Sequence, residues 1–334
     1  MRWPCASLAL LLASCVAGGA SVNTGTPPNK HQGARTAAGS GEPIVLPASF
    51  ERGLIYLKPV TEESGVPMTL LLSSTSRSTL REAKAAELVG GRLEPETTTL
   101  ILPKMAWDAF IPESRGDEGR FLIASRIGEA DPPTGVDGIA GTGFLAERTF
   151  TIDFKNAVFL FRAPGEAPFG DSYERINLIP SKRDPKKGPE EPSGTPREDE
   201  PPETYALSVS LGGVAHEFVF DLGARINLSS VQAQALGAEP GLSASCVLSP
   251  PLFDELAKTL KTFPTTDDPD GEPVRFVEVP SVKVAGKETG PAWFVRDSTS
   301  PEEAGIAGRV SGGCLSKLAL TIDFRSGLAV VTNP

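Results

Sequence analysis

The sequence predicts an all-β protein made of two related lobes, and three observations carry that prediction. Short apolar or alternating runs of strand length recur in both halves between turn residues, whereas stretches of helical period are few. The tetrapeptide Thr151-Ile152-Asp153-Phe154 returns identically as Thr321-Ile322-Asp323-Phe324, an offset of 321 − 151 = 170. Leu70–Gly90 also overlays Phe218–Ala238 at an offset of 218 − 70 = 148, each copy running from an apolar strand through small polar residues into a short amphipathic helix. Matches in the same order point to an internal duplication.

Taken in order, Gly53–Val60, Val66–Leu72, Arg120–Ala124 and Val158–Phe161 read as strands of the first half. Tyr205–Leu211, Val214–Phe220, Val274–Val284, Ala292–Val295 and Leu328–Thr332 read as strands of the second. The overlay sets Ser73 against Asp221, Arg77 against Arg225 and Leu88 against Leu236, giving one short helix per half. Gly138-Ile139-Ala140-Gly141 is matched with Gly305-Ile306-Ala307-Gly308. This is the pattern of a barrel or a sandwich rather than of alternating strand and helix.

The first 15 residues read as an export signal: Arg2, then the apolar run Ser7–Ala13, too short to span a bilayer. Leu12-Ala13-Ser14-Cys15 resembles the lipobox of bacterial lipoproteins, which implies lipidation of Cys15 and a chain tethered to the cell envelope, in the outer membrane or periplasm; cleavage after Ala20 would instead leave it secreted. Residues 16–41 are small and polar and read as a tether. Pro180–Glu203, crowded with proline and mixed charge, reads as a disordered linker between a first lobe at 42–179 and a second at 204–334. Outside the export segment only Cys246 and Cys314 remain, and two cysteines in an oxidising compartment are expected to pair. A net charge of −10 excludes a nucleic-acid partner, and two histidines without a Cys-x-x-Cys pair exclude a His/Cys zinc site, so neither metal nor cofactor is expected.

The motif region resembles a known family. An apolar strand, Asp221-Leu222-Gly223-Ala224, a small helix ending in Leu-Gly, a later apolar-apolar-Gly and a Thr-Ile-Asp-Phe strand look like one lobe of a pepsin/retropepsin-like aspartic protease. The first half repeats that order. The resemblance implies two β-barrel lobes in a monomer, each giving one aspartate to a shared cleft that takes an extended peptide. Two neighbouring carboxyls share one proton, so that one acts as base on water while the other donates to the carbonyl oxygen.

The sequence departs from that pattern at both motifs. Ser73 stands where the first aspartate belongs, followed by Ser74, and Thr75 stands where the family has glycine. In the second motif Leu222 replaces the hydroxyl residue that bonds across the lobes in the family. Asp221 is then the remaining catalytic candidate, with Gly141 and Gly308 marking the turns beneath it. Asp137 and Glu303 read as solvated loop acids rather than a second acid, and His216 as an exposed turn residue. Arg77 and Arg225 either face the cleft, where they would bind a peptide carboxylate, or cover the lobe with their stems. Asp153 and Asp323 read as structural partners of neighbouring backbone or arginine. The segment 91–119, carrying Trp107 and Phe110, falls where the family has its flap. The expectation is a pseudoprotease that binds a peptide or protein in its cleft. Its alternatives are an active endopeptidase using Asp221 with another acid, and an envelope protein whose cleft has closed.

Overall fold

The computed structural model describes residues 43–61, 65–101, 105–106, 120–146, 148–162, 174–175, 177–179, 204–264, 274–296 and 305–334. The export segment, the tether, Pro180–Glu203, Trp107, Phe110 and Glu303 lie outside them.

The repeated tetrapeptides are where the two halves meet. Thr149–Asp153 pairs antiparallel with Ala319–Asp323, so Thr151 lies opposite Thr321 with their hydroxyl oxygens 2.7 Å apart. Each copy faces itself, as at a local two-fold axis. Around this pair a six-stranded sheet grows symmetrically: Val158–Arg162 and Ile44–Val45 on one side, Leu328–Thr332 and Glu174–Arg175 on the other. Phe150 anchors the core beneath it, with ring centroids 5.0 Å from Phe159, 5.5 Å from Phe144 and 6.4 Å from Phe324. The aspartate of each repeat closes the turn that follows. Asp153 accepts the amide and side-chain nitrogens of Asn156, and Asp323 accepts the Arg325 amide and the Ser326 hydroxyl.

Each half adds its own sheet. The first has seven strands, in the order Ala48–Glu51, Leu54–Leu57, Leu70–Leu72, Gly138–Ala140, Thr79–Leu80, Arg120–Ile123 and Thr99–Ile101. The second has eight: Asn177–Ile179, Thr204–Leu211, Val214–Phe220, Ile306–Val310, Cys246–Leu248, Lys287–Arg296, Arg275–Val284 and Thr262–Pro264. Extra pairing of Thr204–Leu211 with Arg275–Val284 closes this sheet towards a barrel. In both, one strand runs between two others that precede it in sequence, parallel to one and antiparallel to the other. The fold is thus an all-β duplication, and Cys246 and Cys314 form a disulfide inside the second lobe.

The pairing corrects the expected boundary. Glu174–Arg175 joins Leu328–Thr332 as Ile44–Val45 joins Val158–Arg162, and Asn177–Ile179 joins Thr204–Leu211 as Ala48–Glu51 joins Leu54–Leu57. Residues 174–179 therefore begin the second lobe instead of ending the first. Pro180–Glu203, which separates the paired strands Asn177–Ile179 and Thr204–Leu211 in sequence, lies outside the described residues.

Each half holds more than one helix among the described residues. Glu82–Leu88 and Thr142–Leu145 belong to the first half, and Ser230–Leu236, Pro250–Leu256 and Gly312–Leu315 to the second. Ser230–Leu236 has the strongest local signals: Ser229 and Gln232 form a capping box, and Gly237 ends the helix at φ +64°. Glu82–Leu88 is instead tied through Glu82, which accepts the Arg126 guanidinium at 2.7 Å and the Ser125 hydroxyl at 2.9 Å. Those bonds hold the Glu82 carboxyl below its ordinary 4.5. A lowered folded value means the tie contributes above that ordinary value and is lost as pH falls through the folded one. Amide protection factors in Glu82–Leu88, taken against the intrinsic exchange rate at each pH, are therefore expected to fall below about pH 4.5, and Glu82→Gln is expected to remove that acid dependence. An unchanged acid dependence in the variant would show that the tie does not govern the helix.

Candidate active site

Ser73 and Asp221 occupy equivalent places. The Ser73 amide donates to the Ala140 carbonyl and the Asp221 amide to the Val310 carbonyl, each at 2.9 Å. Both residues are buried, Asp221 at 3 % exposure. They converge over Gly223: a Cβ built there would lie 2.6 Å from Ser73 Oγ and 3.4 Å from Asp221 Oδ1. Only a bare backbone fits between them, which accounts for glycine at this position.

The first motif spends its hydroxyls on structure. Ser73 Oγ donates to Ser76 Oγ at 3.0 Å and accepts the Ser76 amide at 3.1 Å, closing its own turn. Ser74 Oγ reaches across the lobes, donating to the Phe220 carbonyl at 2.7 Å and accepting the Leu222 amide at 3.0 Å. Leu222 returns no such bond, and its side chain joins the main apolar core at 1 % exposure. The lobes are thus latched from one side at this point. Thr75 donates its hydroxyl to Asp221 Oδ1 at 2.9 Å.

Asp221 is surrounded by donors. Besides Thr75, Oδ1 accepts the Gly223 amide at 3.0 Å, and Oδ2 faces Arg309 Nη1 at 3.4 Å. Arg225 Nη1 donates to the Gly223 carbonyl at 3.1 Å. Burial pulls its guanidinium below the usual arginine value, and the charges of Asp221 and Tyr56 oppose that shift. Burial also raises the Tyr56 phenol, aided by Glu51 and opposed by Arg52 and Arg225. A serine hydroxyl cannot take over the second carboxyl's half of a shared proton.

Asp137 has structural partners of its own. Its Oδ2 accepts the Thr69 amide at 2.7 Å and its Oδ1 lies 3.7 Å from Lys84 Nζ, so it braces the strand entering the motif. His216 sits within strand Val214–Phe220, half-buried, rather than in an exposed turn. Among the described residues no group of three His, Cys, Asp or Glu side chains is placed to hold a metal ion.

The register under the site differs from the motif match. Gly138 lies opposite Leu80 and Gly308 opposite Leu248, so those two glycines are the equivalent pair, at 308 − 138 = 170. Gly141 corresponds to Ser311, and the tetrapeptide match of Gly138–Gly141 to Gly305–Gly308 is out of register by three. Leu80 and Leu248 are offset by 248 − 80 = 168, against 148 at the motif. The difference of 20 residues is Arg225–Ala244, a ribbon of strands Arg225–Leu228 and Gly241–Ala244 with the helix Ser230–Leu236 between them. The counterpart of helix Glu82–Leu88 is therefore Pro250–Leu256, and Arg77 corresponds to Ser245 rather than Arg225. Arg309 stands where the first lobe has Ile139, and neither Arg309 nor the ribbon is visible from motif matching. The signal was present in the change of offset from 148 to 170, which requires 22 extra residues in the second half.

This architecture is that of a pepsin-like bilobal protein. The aspartic proteinase from Irpex lacteus superimposes with a TM-score of 0.52 at 10 % identity, over 87 % of this chain and 97 % of that one. Basic 7S globulin from soybean gives a TM-score of 0.45 at 8 % identity, and conglutin gamma from lupine seeds 0.42 at 10 %, each over 88 % of this chain and 95 % of the other. No protein-family model matches the chain, and no curated protein matches it in sequence.

Proposed function

We propose that this chain is an exported, lipid-anchored pseudoprotease that holds an extended peptide or protein in its interlobe cleft without cutting it. One observation carries the reading: the place of the second catalytic carboxyl is taken by Ser73, whose hydroxyl is committed to Ser76 within its own turn. The pairing of Asp221 with Arg309 supports it, because the surviving carboxylate already has a cation for a partner. The commitments of Asp137 weigh against an active enzyme with a rescued dyad. Export and anchoring rest on residues 1–15 and Cys15, and monomeric action on both half-sites coming from one chain.

An array of immobilised decapeptides, incubated with the mature chain at pH 4–7 and then read by mass spectrometry, tests this reading. Some peptides are expected to retain the protein and to remain intact. Retention accompanied by cleavage would make it an enzyme. Retention by none would favour the second reading, a structural protein with a closed cleft. The packing of Leu242 and Ala244 against the first lobe speaks for that alternative.

A further inference from the structure

The ribbon Arg225–Ala244 has no counterpart in the first lobe, and it does not fold back on its own lobe alone. Its Ala244 amide donates to the Arg52 carbonyl of the first lobe at 2.9 Å, and Glu239 lies 3.3 Å from the Arg52 guanidinium. Leu242 and Ala244 pack on a small apolar cluster of Leu54, Tyr56, Leu71 and Val136, separate from the main core. Leu71 is two residues before Ser73 and pairs with Tyr56 across the sheet, so this cluster lies on the face of the sheet that Ser73 shares. Leu54, Tyr56, Leu71 and Val136 are at most 8 % exposed with the ribbon in place.

We infer that Arg225–Ala244 is an intramolecular lid, which occupies the apolar face of the first lobe beside the motif and must be displaced before an extended peptide with apolar side chains can lie there. The inference rests on the proposed peptide binding for what displaces the lid, but not for its closure. The ribbon suits this role. It is joined to its lobe at a narrow neck, where the Ser245 amide donates to the Ala224 carbonyl at 3.0 Å. Towards the first lobe it offers the Ala244 backbone bond, the exposed Glu239 ion pair and the side chains of Leu242 and Ala244, while its Leu228 and Ala233 pack on Phe276 of its own lobe. An exposed ion pair adds little, so separating the ribbon from the first lobe costs chiefly one backbone bond and the packing of Leu242 and Ala244, a set of contacts of the kind that opens locally without global unfolding. The same neck makes the lid removable, because Ala224 and Ser245 are already neighbours.

The test compares the full mature chain with a variant in which residues 225–244 are deleted and Ala224 is joined to Ser245. The point variant Leu242→Asp decides the matter if the deletion does not fold. The readouts are fluorescence of an anilinonaphthalene sulfonate dye and hydrogen exchange of strands Leu54–Leu57 and Leu70–Leu72. In Leu242→Asp the Ala244 amide is expected to lose roughly tenfold in protection while the main melting transition stays in place. Dye fluorescence is expected to rise severalfold in Leu242→Asp, reversibly suppressed by those array peptides that bind; in the deletion the dye also reports the Phe276 and Trp293 surface that the ribbon covers on its own lobe. Unchanged dye binding and unchanged Ala244 protection in Leu242→Asp would overturn the lid. A rise in dye binding with no peptide able to suppress it would leave the lid standing and overturn the peptide-binding reading.

Discussion

Alanine at Gly308 is expected to prevent the second lobe from folding. The strand Ile306–Val310 runs between Val214–Phe220 and Cys246–Leu248, and Gly308 sits where all three meet, opposite both Phe218 and Leu248. Its φ is +155°, a region that residues with a side chain rarely adopt. A Cβ there would overlap the Val247 carbonyl oxygen and come within 3.0 Å of Leu248 Cα. The obstacles are backbone atoms fixed by ladder hydrogen bonds, so no rotamer change relieves the clash. Strain and lost pairing together put the expected cost above about 4 kcal/mol, which is exceptional for a single residue. Gly138 has the same role in the first lobe, where a Cβ would strike the Thr79 carbonyl and the side chains of Leu80 and Leu70. Gly91, which has nothing within 4 Å, serves as the control. Circular dichroism and soluble yield of the three alanine variants check the prediction. A cooperative Gly308→Ala melt near that of the parent would show that the crossing is looser than described.

Ser74→Ala is expected to cost about 2–6 kcal/mol. The hydroxyl is buried and serves two backbone groups of the other lobe, the Phe220 carbonyl and the Leu222 amide. Removing it strands both, and each unsatisfied buried polar group costs about 1–3 kcal/mol. Leu222 has no hydroxyl with which to make the reciprocal contact, so nothing equivalent takes over the latch. Ser74→Thr keeps the hydroxyl and is expected to recover most of the loss, less a packing cost for its methyl group. The midpoint of urea unfolding, with the slope checked for constancy, reports the difference. A shift in Ser74→Ala worth less than about 0.5 kcal/mol, the range of ordinary surface substitutions, would show that the bridge between the lobes is not structural.

The sequence made the duplication legible because the residues that carry it are fixed for physical reasons. Thr151 and Thr321 meet on the local two-fold, and Asp153 and Asp323 each close the turn that follows, so the same tetrapeptide serves in both copies. The half-site positions were legible for a similar reason, since Ser73 and Asp221 follow matching apolar strands. What motif matching misread was length. Gly305-Ile306-Ala307-Gly308 copies the letters of Gly138–Gly141, yet the glycine that must pass under a carbonyl is Gly138 in one lobe and Gly308 in the other. Chemical constraint acts on that crossing and not on the tetrapeptide. The affiliation of Asn177–Ile179 was not legible because composition reports the inability to pack but not strand pairing, and these residues pair with Thr204–Ala206 of the second half. Arg309 was missed because an arginine in a strand pattern reads as a solvated position, and its contact with Asp221 spans 88 residues.

The most direct test of a one-carboxylate site is peptide cleavage by the mature chain and by Asp221→Ala, scanned from pH 2 to pH 8 on a mixed peptide library. The site described here predicts no turnover above background for either protein at any pH, with both chains folded by circular dichroism. Acid-stimulated cleavage by the parent that disappears in Asp221→Ala would contradict it, and would require a second acid that acts with Asp221 despite Ser73.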